Sequence, residues 1–175
     1  MPPYRSAADA KYLGDLTEFV ALMDEYSKDK WTLNKSEDGV WLKQSVMIKN
    51  EIETFNRQTH ILRSSHYDLP VLWFNFYHRD GRPLRLDEIS DLLTKNDLTK
   101  CSNFVRLVTQ EIHPYYGVLF FFIDPRKAKK NIEDLEGNGN FIVRWLSLYG
   151  AIIGMTLPNE ILLSVGIDPQ AQNTL

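Results

Sequence analysis

The stretch GVLFFFIDPRKAKK, residues 117–130, decides how the fold is read. Six consecutive apolar residues, Val118 to Ile123, stop abruptly at Asp124-Pro125-Arg126 and give way to a basic segment. A run of that length, bounded by turn-forming residues, reads as a buried strand. Its exit has two readings. One is an ordinary turn; the other is a former catalytic position that has lost its nucleophile.

Working outward, residues 71–78 (VLWFNFYH) are apolar on both faces, as a central strand would be. The turn Tyr67-Asp68-Leu69-Pro70 leads back to residues 54–65, rich in β-formers but polar overall, which suits a strand with one wet face. Before that, Val40, Leu42, Val46 and Ile48 alternate with Trp41, Lys43, Ser45 and Lys49, a period of two. These segments predict an antiparallel meander. Across residues 7–28, Tyr12, Leu13, Leu16, Phe19, Val20, Met23 and Tyr26 fall at helical spacing, with Ser6 placed to cap the helix.

Downstream, residues 87–93 predict a short helix capped by Asp87, and residues 104–108 a short helix or an extended piece. Residues 127–135 could be helical, and Glu136-Gly137-Asn138-Gly139-Asn140 is a break. Ile142, Trp145, Leu146, Tyr149, Ile152 and Ile153 then return at helical spacing. From Pro158 the periodicity is lost, so residues 1–5 and about 160–175 are expected to be flexible tails. The order of elements predicts one α+β domain spanning residues 1–175, a sheet covered by helices.

The composition restricts the functions available. With 43% hydrophobic and 25% charged residues the chain has a soluble globular profile, and its 175 residues are enough for a core without disulfides or metal. A net charge of −3 supplies no global basic field for nucleic acid. No window offers ~20 uninterrupted apolar residues. The single cysteine, Cys101, and an opening Met1-Pro2-Pro3-Tyr4-Arg5 without an apolar signal core make a cytoplasmic monomer the expectation.

Candidate chemistry is sparse. His60, His66, His78 and His113 have no metal-ligand spacing and read as surface or hydrogen-bonded structural residues, so no metal or cofactor is expected. Cys101 with His113 would form a nucleophile and base, but only Lys100 beside the thiol argues for a lowered pKa, and a packed thiol is the plainer reading. Arg126-Lys127-Ala128-Lys129-Lys130 reads as a solvated helical face or as a grip for an acidic partner.

A set of ordered motifs goes further. Pro70-Val71-Leu72-Trp73-Phe74 and Asp80-Gly81-Arg82-Pro83-Leu84 are followed by Thr109-Gln110, His113-Pro114, Gly117 and Phe120-Phe121. Trp145-Leu146-Ser147, Gly150, Gly154 and Leu157-Pro158 complete the set, which resembles the Atg-ten family of autophagy conjugating enzymes over about residues 60–158. The resemblance implies a ubiquitin-conjugating-enzyme-like fold: a four-stranded antiparallel sheet with an N-terminal helix and C-terminal helices. It also implies a pathway. A family cysteine accepts the modifier Atg-twelve from the activating enzyme Atg-seven and passes it to a lysine of Atg-five.

In that family the nucleophile lies in a His-Pro-Cys motif after the Phe-Phe strand; here the slot reads Asp124-Pro125-Arg126. A guanidinium stays protonated and delocalised, so Arg126 cannot carry an acyl group as a thiolate does. Natural loss of the activity, favoured because Asp124 and Arg126 both differ from the motif, competes with a substitution introduced into a normal enzyme and with rescue by Cys101. The expectation is a non-covalent binding module. Arg126, aided by Lys127, Lys129 and Lys130, would grip a carboxylate such as the C-terminus of the modifier. A third reading has residues 54–65, with His60, Leu62 and Ser64, as a sheet edge recruiting Atg-five by strand pairing.

Overall fold

A computed structural model describes residues 7–64, 66, 68–99, 101–128, 135 and 137–170. The chain begins with α1 (Ala7–Tyr26), then runs through β1 (Trp31–Lys35), β2 (Val40–Lys49), β3 (Thr54–Ser64) and β4 (Leu69–Tyr77). Two short helices follow, α2 (Leu86–Lys95) and α3 (Phe104–Leu107), then β5 (Val108–Ile112) and β6 (Leu119–Ile123). It closes with α4 (Phe141–Ile152) and α5 (Asn159–Ser164). The sheet order is β1-β2-β3-β4-β6-β5, with every neighbouring pair antiparallel.

Among the described residues the sheet therefore has six strands where four were expected. The additional two, β1 and β5, are its edges. Each is five residues long and largely exposed along its length, so neither carries the apolar run that marks a strand in sequence. The four expected strands are present, and β4 is central and buried along nearly its whole length. By contrast β3 is paired on both sides, to β2 and to β4. The described part of the expected 54–65 segment, Thr54–Ser64, thus offers no free edge, and recruitment of Atg-five by strand pairing there has no geometric basis.

One face of the sheet packs on the helices. Leu42, Ile61, Leu72, Phe74 and Ile123 point to that side and join Leu16 and Phe19 of α1 and Trp145 and Leu146 of α4 in the main core. The buried Asn140 fixes this packing: its Oδ1 accepts from Val143 N–H to cap α4, and its Nδ2 donates to the Asp15 carbonyl and to Glu18 of α1. The sequence break at residues 136–140 thus ends in a helix cap. The expected cap Ser6, and most of the possible helix 127–135, lie outside the described residues.

Two further expectations are corrected. Helix α2 starts at Leu86, not at a cap on Asp87. The Glu88 carboxylate accepts from Arg85 N–H at 2.7 Å, and Asp87 sits in the exposed first turn beside the Arg85 guanidinium. The part of the expected tail that is described is folded. The Pro158 carbonyl accepts from Ile161 and Leu162 N–H, and those two residues and Val165 are buried against the core. Three apolar positions in one and a half turns are too few for a periodicity to register.

Candidate functional site

The chain leaves β6 through a turn that is built around a carboxylate. Asp124 is fully buried, its N–H donates to the Leu107 carbonyl, and its own carbonyl accepts from Lys127 and Ala128 N–H. The side chain accepts three bonds from one residue: Arg126 N–H at 2.9 Å, Nε at 2.9 Å and Nη2 at 2.6 Å. The backbone bond is an Asx turn, the usual reason for Asp before Pro. The other two form a bidentate, charge-assisted pair. Bonding from Arg126, ahead of the opposing effect of burial, holds the Asp124 carboxyl below its ordinary range.

Arg126 is therefore presented and held at once. Its side chain is 60% exposed, yet the Nε–Nη2 edge that would suit a ligand carboxylate is already on Asp124. Lys127 is tethered too, donating to Thr109 Oγ1 at 2.9 Å and more weakly to the Val108 carbonyl of β5. Pro125 is buried beneath the turn. Lys129 and Lys130 lie outside the described residues.

The one thiol sits in a different setting. Cys101 is half-buried against the main core, and burial pushes its pKa up, the opposite of nucleophile activation. His113 is not its partner. It lies on the opposite face of the sheet, within 2.9 Å of His60.

That opposite face carries a second, smaller cluster: Trp41, Leu62, Val71, Trp73, Phe120 and Phe122. The register sets Lys43, His60, Trp73 and Phe122 in one row across β2, β3, β4 and β6. The loop after β5 folds over this row. Tyr115 stacks on Trp41 with ring centroids 4.2 Å apart, and Lys43 Nζ lies 5.5 Å from the Tyr116 ring.

Hydrogen bonds fix the tautomers beneath the loop. His113 Nδ1 accepts from Tyr115 N–H at 3.2 Å, so the neutral ring carries its proton on Nε2 and donates it to His60 Nδ1. The proton of His60 is then on Nε2, which is buried with no hydrogen-bond partner among the described residues. Burial, chiefly, lowers the pKa of His60 to about 3 and that of His113 to about 4. The prediction of structural, hydrogen-bonded histidines holds for these two. Their partnership was invisible because the two histidines lie 53 residues apart in the chain, on β3 and on the loop after β5.

Beside the aromatic cluster lies a groove of about 580 Å³, lined by Leu62, Ser64, Val71, Trp73, Tyr115 and Phe122 among others. Phe122 on its wall is two residues before Asp124 in the chain, but Asp124, Pro125 and Arg126 are not among its lining residues. Of the residues expected to bind a partner, Leu62 and Ser64 line this groove, His60 is buried away from solvent, and Arg126 lies at the turn. Among the described residues no group of His, Cys, Asp and Glu could hold a metal ion, and no helix is long and apolar enough to cross a membrane.

Comparison with known proteins converges on one family. The chain is 33% identical over 119 residues to the human ubiquitin-like-conjugating enzyme ATG10, a match covering 61% of this chain and 52% of that protein. It is 28% identical over 163 residues to the Arabidopsis thaliana protein of the same name, covering 81% and 70% respectively. The match thus spans about half the length of the human relative. The solution structure of KmAtg10 superposes with a TM-score of 0.54 at 20% identity, over 83% of this chain and 93% of that one, a likeness of fold. The description "Autophagocytosis associated protein, active-site domain" matches residues 5–160, and the chain belongs to that family as an Atg10-like member.

Proposed function

We propose that this protein serves the autophagy ubiquitin-like conjugation system as a non-covalent binder of the modifier Atg-twelve, without a thioester of its own. The observation that carries this reading is Arg126, displayed at the turn after β6 with its guanidinium locked to the buried Asp124. Acyl transfer through a carrier needs a nucleophile that can be deprotonated, and a guanidinium is not one. Cys101, raised in pKa and packed on the helix side, is poorly placed to take over.

The groove along Val71, Trp73 and Phe122, lined also by Asp38, Arg63 and Glu111, gives an extended modifier tail a mixed apolar and charged bed on the face of the sheet away from the helices. Because the Nε–Nη2 edge is occupied, Arg126 contributes general positive charge at the turn rather than a bidentate clamp. The activating enzyme Atg-seven and the target Atg-five are the further partners that the family relationship suggests.

The test is an incubation of the purified protein with Atg-seven, Atg-twelve and ATP. The expected result is no reductant-sensitive adduct, alongside salt-sensitive binding of Atg-twelve that weakens when Trp73 is replaced by Ala. Replacing Asp124 by His and Arg126 by Cys together restores the family motif and is expected to create the adduct. A reductant-sensitive adduct on the unaltered chain, lost in Cys101→Ser, would instead show a transferase working through Cys101.

A further inference from the structure

Strand β2 is twice as long as the strand on its outer side. β1 pairs only with Val40–Gln44, while β3 follows the other side of β2 as far as Lys49. The stretch from Ser45 to Lys49 therefore overhangs the start of β1 and leaves an open edge in the sheet.

The hairpins at the two ends of β2 tell which backbone groups lie on that edge. Asn50 N–H donates to the Glu53 carbonyl at 3.0 Å, so Asn50 turns toward β3. Ser36 N–H donates to the Gly39 carbonyl at 2.9 Å, so Gly39 turns toward β1. Backbone groups alternate along an antiparallel strand, and both hairpins give the same parity: even-numbered residues of β2 face β3, odd-numbered residues face outward. The N–H and C=O of Met47 and Lys49 thus point away from β3, beyond the reach of β1. Among the described residues they have no backbone partner. The side chain of Met47 is 54% exposed, whereas Ile48 packs in part on the main core from the helix face.

An open edge of alternating donors and acceptors is complemented by another extended backbone. The sequence of this edge singles out which one. For two copies of the chain related by a two-fold axis, outward residues must meet outward residues. An axis through Met47 sets Asn50 of the second copy opposite Gln44, where Trp31 already sits. An axis through Lys49 sets that lysine opposite itself, a repulsive pair. An axis through Ile48 has neither fault. Met47 then lies opposite Lys49 of the second copy, twice over, each pair exchanging both N–H···O bonds. Ile48 meets its own symmetry mate in a non-hydrogen-bonded pair, where side chains approach most closely. Asn50 of the second copy stops opposite Val46, clear of Trp31, and the two lysines fall on a diagonal.

We infer that the overhanging end of β2 is a docking edge for a second copy of this chain, the two strands pairing antiparallel about Ile48 and joining two sheets into one. Roughly five residues a side is small against the roughly 20–30 of a stable interface, so the association is weak. The monomer expected from composition is its dilute form.

The experiment uses the full chain. Sedimentation is expected to show the mass rising with concentration toward that of a dimer by about 1 mM. Met47→Glu, which sets a carboxylate opposite Lys49, should tighten the association several-fold, and Met47→Lys should loosen it several-fold. Met47 is exposed, so neither change disturbs the core. In a Cys101→Ser background, Ile48→Cys should yield a disulfide-linked dimer on mild oxidation. Met47→Cys should not, because its mate lies on a diagonal beyond disulfide reach. If Ile48→Cys does not fold, the opposite responses of the two charge variants decide alone. A chain that stays monomeric at about 1 mM would overturn the inference and leave the edge to a strand of another protein. So would a dimer indifferent to the sign of charge at position 47, or crosslinking through Met47→Cys and not Ile48→Cys.

Discussion

The two faces of the sheet bury polar groups by different rules. On the face away from the helices, His60 and His113 share one hydrogen bond and avoid charge by giving up their extra protons, with pKa values of about 3 and about 4. On the helix face, Arg57 keeps its charge and takes two carbonyls at the end of α4 as partners. The contrast teaches that burial selects against charge only where the side chain can neutralise itself. Imidazole can; guanidinium cannot, and must find acceptors.

The largest expected difference between the faces is in plain packing. Trp73 and Phe74 are neighbours on β4 but point to opposite sides, Phe74 into the main core and Trp73 into the smaller aromatic cluster. Phe74→Ala is expected to cost about 3–5 kcal/mol, because that core is enclosed by helices and cannot collapse onto the gap. Trp73→Ala should cost less, about 2–3 kcal/mol, since the covering loop can settle inward. Urea unfolding midpoints measure both. Equal losses would mean that the loop after β5 is as rigid a lid as α1 and α4.

Next in size is the response to acid. The folded-state pKa values of His60 and His113 lie below that of an unfolded histidine, about 6.5, so folding favours the neutral rings. Their contribution is full above pH ~6.5 and is lost progressively as pH falls toward ~4 and below. The midpoint of unfolding should therefore drop between pH 7 and pH 4, and by less in a His60→Phe variant, which removes one titrating ring and leaves the stacking on Phe120. A profile unchanged by that substitution would place the acid sensitivity elsewhere.

Much of this architecture was legible in sequence, and the failures share a cause. The apolar runs of β4 and β6 and the helical spacing of α1 and α4 announce themselves because burial on a whole face demands it. The edge strands β1 and β5 escape because an edge is stabilised by backbone pairing on one side and needs few apolar residues. The turn after β6 was found from three residues, since Asp-Pro following an apolar run has a local meaning. The His60–His113 pair and the contact of Arg57 with the end of α4 are products of long-range pairing, for which neither segment carries a signal alone. The bond from Arg126 back to Asp124 is local, but nothing in the spacing says which way the side chain turns.

Asp124 and Arg126 show a third rule, direct pairing, and supply the smallest effect. Replacing Arg126 by Ala leaves a fully buried carboxylate with one backbone donor and is expected to cost about 1–3 kcal/mol, the range for stranding a buried hydrogen-bonding group. Asp124→Ala instead returns a mostly exposed guanidinium to water, so the loss is that of the Asx turn, about 1 kcal/mol. The double variant should then be more stable than Arg126→Ala alone, because no orphaned charge remains. Acid sharpens the test. Since pairing lowers the Asp124 pKa, its contribution is present above the unfolded value near 3.9 and is lost as pH falls through the lower folded value. Without Arg126, burial moves the folded carboxyl back up toward or past the unfolded value, so that loss should shrink or reverse, and in the double variant it should be absent. Should Arg126→Ala leave both midpoint and acid limb unmoved while binding of Atg-twelve falls, the arginine is there for its partner and not for the turn.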